Sequence, residues 1–153
     1  MLSAEEEWAK KVTESLDSIP HHLENHTLNS IQRDMVNIMR IERIPPNDNL
    51  LFQEKLNGYR YVGDICDLFR GRHIRWIRLF ETNGTRAVKP TLTNGGIVTD
   101  IQFRENGIYI QCKNTRNQFM SFPLDACIVF QKLTAEECLV LMVGNQSKLQ
   151  SSG

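Results

Sequence analysis

Nine residues, Arg70 to Arg78, hold four arginines, one histidine and one tryptophan, with no acid among them. A guanidinium is planar, permanently charged and able to offer a phosphate two N–H groups at once, and an exposed indole offers a face on which a base can stack. Arginines interleaved with an aromatic are what a binder of single strands or of a nucleic-acid backbone needs. The expected contact set is Arg70, Arg72, Arg75, Trp76, Arg78, Arg86 and Lys89, and Arg104, Lys113 and Arg116 enlarge it if turns bring them alongside. An ordinary use competes. Trp76 suits a β-core, and the arginines can pair with Asp64, Asp67 or the acidic helices nearer the N-terminus.

Signatures of catalysis are missing. The chain has no G-x-x-x-x-G-K-S/T, G-x-G-x-x-G, G-x-S-x-G or H-E-x-x-H pattern. His21, His22 and His26 cluster after Pro20 and read as loop residues rather than metal ligands. His73 with Asp64 or Asp67 could form an acid–base pair, and Asp64-x-x-Asp67 could hold a divalent cation. Each needs a pocket that a short β-domain seldom encloses. Cys66, Cys112, Cys127 and Cys138 lack the close pairing of a zinc knuckle and read as small buried apolar residues in a reducing compartment. The expectation is a protein without catalysis, cofactor, metal or evident small-molecule substrate.

The elements that position these residues follow from the patterning of 153 residues, 41% of them hydrophobic and 24% charged, a globular composition. No apolar run reaches the ~18–20 residues of a membrane span. The N-terminus has no signal-peptide pattern, which leads to the expectation of a cytoplasmic or nuclear protein. Net charge is zero, but residues 1–58 carry ten acids and six bases while residues 59–133 carry six acids and eleven bases.

Helical periodicity fills the first third. Ser3 and Glu6 form a capping box, and Trp8, Val12, Leu16 and Ile19 make an apolar stripe that Pro20 stops. A second stripe runs Leu28, Ile31, Met35, Ile38 and ends by Ile44. Asp48 or Asn49 can cap a third helix through Lys55, closed by Gly58.

From Tyr59 the pattern turns to β-branched and aromatic runs broken by Gly and Asn. Ile97–Phe103 and Ile108–Lys113 flank Asn106-Gly107, the strongest short hairpin signal because both residues tolerate positive φ. Ile97, Thr99, Ile101 and Phe103 are expected on the dry face, opposite Ile108, Ile110 and Cys112. Strands over residues 72–80, 118–122 and 126–130 bring the count to five. The mixed character of residues 72–80 places that strand at an edge or a bulge. Thr134 to Glu137 is a second capping box for a C-terminal helix that Gly144 closes.

These elements predict an α+β fold: a helical N-terminal extension (1–57), a small five-stranded antiparallel β-barrel with a C-terminal helix (58–144) and a flexible tail (145–153). The barrel resembles the SH3-like, Tudor and Sm architectures, a likeness of architecture and not of motif. The function it suggests is a binding module whose basic, aromatic strand engages a polyanion, nucleic-acid backbone first. The alternative is a structural subunit that docks its helices and barrel edge onto protein partners in a larger assembly, such as a virus particle or multi-subunit machine.

Overall fold

The computed structural model describes residues 3–7, 23 and 26–151, with side chains as far as residue 143. The stripe from Trp8 to Ile19, Pro20, His21 and His22 lie outside the described residues. Three α-helices lie wholly within the described residues, α1 (Leu28–Ile41), α2 (Pro46–Lys55) and α3 (Ala135–Ser151). Six strands are β1 (Tyr59–Val62), β2 (His73–Arg78), β3 (Gly96–Arg104), β4 (Gly107–Lys113), β5 (Phe119–Pro123) and β6 (Cys127–Lys132). The chain divides into two compact units, Met1–Arg33 with Leu133–Gly153 and Asp34–Lys132, and the division falls within α1.

In the first unit the capping chemistry is as the spacing predicts. Glu6 N donates to Ser3 Oγ (3.2 Å) and Ser3 N to Glu6 Oε2 (3.4 Å). Thr134 N donates to Glu137 Oε1 (2.9 Å) and Glu137 N to Thr134 Oγ1 (3.1 Å). A third reciprocal pair, Thr27 with Ser30, opens α1. Ile31, Leu133 and Leu141 pack together against Cys138. α3 continues through Gly144 to Ser151 rather than closing there. A glycine inside a helix costs only about 1 kcal/mol relative to alanine, too little to end one that its neighbours propagate.

In the second unit the fold is α+β, but the sheet corrects the expected five-stranded barrel. Six antiparallel strands lie in the order β1-β6-β2-β3-β4-β5, and β1 and β5 do not pair, so the sheet is open. The missed strand is β1, four residues of Tyr-Arg-Tyr-Val too short to show alternation. β2 is central rather than at an edge, paired with β6 from Ile74 to Arg78 and with β3 at His73 and Ile74.

Two apolar clusters sandwich the sheet's middle. On one face Ile77, Leu79, Ile128 and Phe130 meet Met35, Met39 and Phe52 of the helices and Leu56 just after α2. On the other, every strand contributes, with Val62, Ile74, Trp76, Val98, Ile110, Phe122 and Val129 in one cluster. Alternation within β2 and β6 therefore serves two cores, which is why neither face of β2 reads as plainly polar.

β3 departs from simple alternation. A register shift between Val98 and Asp100 leaves Thr99 as the extra residue. Val98, not Ile97, is buried, and Ile101 returns to the dry face, while Ile97 and Phe103 are exposed. A bulge switches which residues face the core, and nothing in the residue pattern announced it. The hairpin itself forms, with Glu105 and Asn106 as the turn residues and only Gly107 at positive φ (131°). At Gly95 (φ 80°) a Cβ would stand 1.9 Å from Ile74 O, so only glycine lets β3 approach β2 here.

α2 begins earlier than the expected caps. Pro45 precedes it and Pro46 occupies its first position, where a missing N–H costs nothing, and Asn49 is buried within the helix.

Candidate functional site

The fold distributes the seven expected contact residues instead of gathering them. Trp76 is 6% exposed, and its indole stacks on Phe122 at 4.2 Å with an interplanar angle of 25°. It fills the core, so no face is open for a base, a correction to its expected role. Arg75 is committed to the backbone, Nε donating to Thr93 O (2.8 Å) and Nη1 to Lys55 O (3.1 Å). At the start of β2, Arg70 pairs with Asp100 at 2.9 Å. Arg72 donates to Lys132 O (3.0 Å) and lies over the Phe69 ring at 5.9 Å.

Arg78 and Arg86 are brought together at the other end. The loop after β2 folds back through the bridges Phe80–Arg86 and Ile77–Leu92, and Asn83 Oδ1 tightens its tip by accepting from Thr85 N (3.0 Å). This places Arg86 beside Arg78 in a cleft of about 270 Å³. Its walls are Ile44, Pro45, Leu79, Ala87, Val88 and Pro90. A third arginine lines it as well, Arg43, which the sequence reading did not select.

Arg43 reaches the cleft through the end of α1. Its N–H donates to Arg40 O, and Ile44 N donates to Met39 O, a Schellman closure whose left-handed residue is Arg43 at φ 60°. Glycine takes that conformation freely, whereas a side-chain-bearing residue strains there by roughly 1–2 kcal/mol. Strained backbone gathers where function holds it. The only signal in the residues was the lack of a glycine between the helical stripe and Pro45-Pro46.

The cleft's electrostatics are one-sided. Among the described residues no carboxylate lines it. Arg78 Nε donates to Phe80 O (3.0 Å), and neither Arg75 nor Arg78 has a carboxylate partner among the described residues. Arg86 Nη1 lies 3.6 Å from Glu42 Oε2, its Nη2 donates to Glu42 O, and its guanidinium sits 5.5 Å over the Phe80 ring. Lys89, exposed between Val88 and Pro90, has no partner among the described residues. Three guanidinium groups around apolar walls, one partly offset by Glu42, form a seat for an anion with several oxygens.

The acid–base pairs considered for His73 do not form. His73 Nδ1 meets Tyr59 OH at 2.9 Å, and burial, then Lys132 and Arg75, press its pKa below the ordinary value. Asp64 accepts from Cys66 N (2.9 Å). Asp67 meets the buried Arg60 at 3.4 Å, and Gln131, wholly buried, clamps the same turn by accepting from Phe69 N and donating to Asp67 O. No group of three His, Cys, Asp or Glu among the described residues could hold a metal. All four cysteines are free. Burial pushes Cys112 up to about 12 and Cys127 up to about 11. Cys66, expected to be buried, is exposed on the turn that Asp64 caps.

Comparison of the chain with protein-family models, with curated proteins and with solved structures finds no match. No helix among the described residues is long and apolar enough to cross a membrane.

Proposed function

We propose that the unit Asp34–Lys132 is a non-enzymatic binding module for a polyanion, nucleic-acid backbone first, working in the cytoplasm or nucleus. The observation that carries this reading is the convergence of Arg43, Arg78 and Arg86 on one cleft with no lining carboxylate among the described residues, and with Lys89 beside it. Guanidinium forks match phosphate oxygens, and apolar walls lower the local dielectric around them. Arg70, Arg72 and Arg75 enter as part of the unit's positive field rather than as direct contacts. Filter binding of oligonucleotides at several salt concentrations tests the idea. Arg43→Ala with Arg86→Ala should weaken binding and flatten the salt slope by about two units, roughly one for each lost phosphate contact. Wild-type affinity that is indifferent to salt would sink the proposal.

A second reading, an assembly subunit docking on protein partners, is supported by the open outer edges of β1 and β5 and by exposed Ile41, Leu50 and Leu51. Light scattering separates the two. A stable oligomer without oligonucleotide affinity favours assembly.

A further inference from the structure

The sheet carries a second surface that the arginine cleft does not use. Beyond the strands covered by helices, β3, β4 and β5 turn a face outward whose cross-strand rows are Ile97–Lys113–Phe119, Asp100–Gln111–Ser121 and Gln102–Tyr109–Pro123. Phe119 is 62% exposed and Ile97 40%, unusual for large apolar residues on a sheet that buries its other face. Cations sit on the aromatics. Lys113 Nζ is 5.7 Å from the Phe119 ring centre, and the Arg104 guanidinium is 4.2 Å from that of Tyr109. Asn106 Nδ2 donates to Tyr109 OH at 2.9 Å and so fixes that ring. Arg70 reaches Asp100 on this face, and Arg116 stands in the turn between β4 and β5.

We infer that this face is a stacking platform for the bases of single-stranded nucleic acid. The inference rests on the polyanion reading for its class of ligand but not for its site. An exposed ring or a guanidinium plane stacks on any base, and Phe119 and the Arg104–Tyr109 pair supply two such planes. Tyr109 and Lys113 are four residues apart on β4, so the two planes stand roughly 14 Å apart at about 3.4 Å per residue. That span fits bases that are near neighbours on a stretched strand and not adjacent pairs of a stacked duplex. Lys113, Arg104, Arg70 and Arg116 flank the planes against two acids, Asp100 and Glu105, leaving a positive rim for the phosphates. The same charges argue against a second copy of this chain as the occupant. A two-fold contact would bring together two faces of the same positive sign.

Fluorescence anisotropy with a labelled oligothymidylate and with a duplex of equal length tests the assignment. Phe119→Ala, alone and with Tyr109→Ala, should lower single-strand affinity on the order of tenfold per lost plane, with the salt slope and duplex affinity unchanged. Phe119→Trp should keep or raise it. Phe119 is exposed, so its single variant remains readable even if the double variant folds poorly. Single-strand affinity unmoved by Phe119→Ala, while Arg43→Ala with Arg86→Ala weakens binding and flattens its salt slope, overturns the platform and leaves the cleft standing. Wild-type protein that ignores both oligonucleotides overturns both readings. A dimer that Phe119→Ala dissociates makes the face a self-interface and also removes the proposal.

Discussion

Two clefts in the same unit share a wall and differ in sign. Among the described residues, the first is lined by Arg43, Arg78 and Arg86 and by no acid, whereas the second, about 220 Å³, is lined by Glu42, Asp125 and Tyr61 and by no base. Leu79 lines both, and Glu42 stands in the second while pairing with Arg86 of the first. The arginine cleft has three charges and part of one counter-charge, so it keeps a net attraction for anions. The acidic cleft repels them. Charge partition within one patch of surface, rather than the count of basic residues along a strand, sets where the field attracts anions.

The largest break in this comparison comes from the shared wall. Leu79 is buried in the cluster with the helices, so Leu79→Ala should cost about 2–4 kcal/mol in urea unfolding through lost burial and the cavity left behind. Val88 lines the arginine cleft and is fully exposed, and Val88→Ala should stay within about 0.5 kcal/mol. Equal costs for the two would mean that Leu79 does not tie the clefts to the core.

A smaller effect sharpens the comparison. Glu42 and Arg86 are 33% and 43% exposed, so their ion pair is worth about 0–1 kcal/mol to stability. Glu42→Gln should therefore leave unfolding nearly unchanged while freeing Arg86, raising polyanion affinity roughly two- to fivefold at low salt. Affinity that falls instead would show Glu42 positioning Arg86 for the ligand rather than competing with it.

What could be read from the residues was local. Capping boxes at Ser3 and Thr134 and the Asn106-Gly107 hairpin depend on neighbours a few residues apart, and the structure forms each of them. The basic run from Arg70 to Arg78 was legible as charge but not as a surface. Whether Arg75 meets Lys55 O and Thr93 O, or Trp76 meets Phe122, depends on chain segments 18 to 46 residues away. Arg43 was invisible for a similar reason. Its place in the cleft comes from a Schellman closure normally signalled by glycine, set beside a loop more than 40 residues further on. The bulge at Thr99 and the four-residue β1 escaped because each is too short to alter the alternation that surrounds it.

The smallest effect lies in the acidic cleft and turns on a tyrosine. Burial, then Glu42, raises the Tyr61 phenol above its ordinary 10. A group whose folded pKa is raised binds its proton longer in the native state than in the unfolded chain. Its contribution to stability is therefore full below pH 10 and is lost as pH rises through the folded value. Glu42→Gln removes the lesser cause and keeps the greater, so the Tyr61 titration should move down and still end above 10. Ring-labelled tyrosine resonances followed by NMR across alkaline pH resolve it from Tyr59 and Tyr109. If Glu42→Gln leaves the Tyr61 midpoint where it was, the carboxylate's field does not reach this cleft, and its influence is confined to Arg86 on the other side of Leu79.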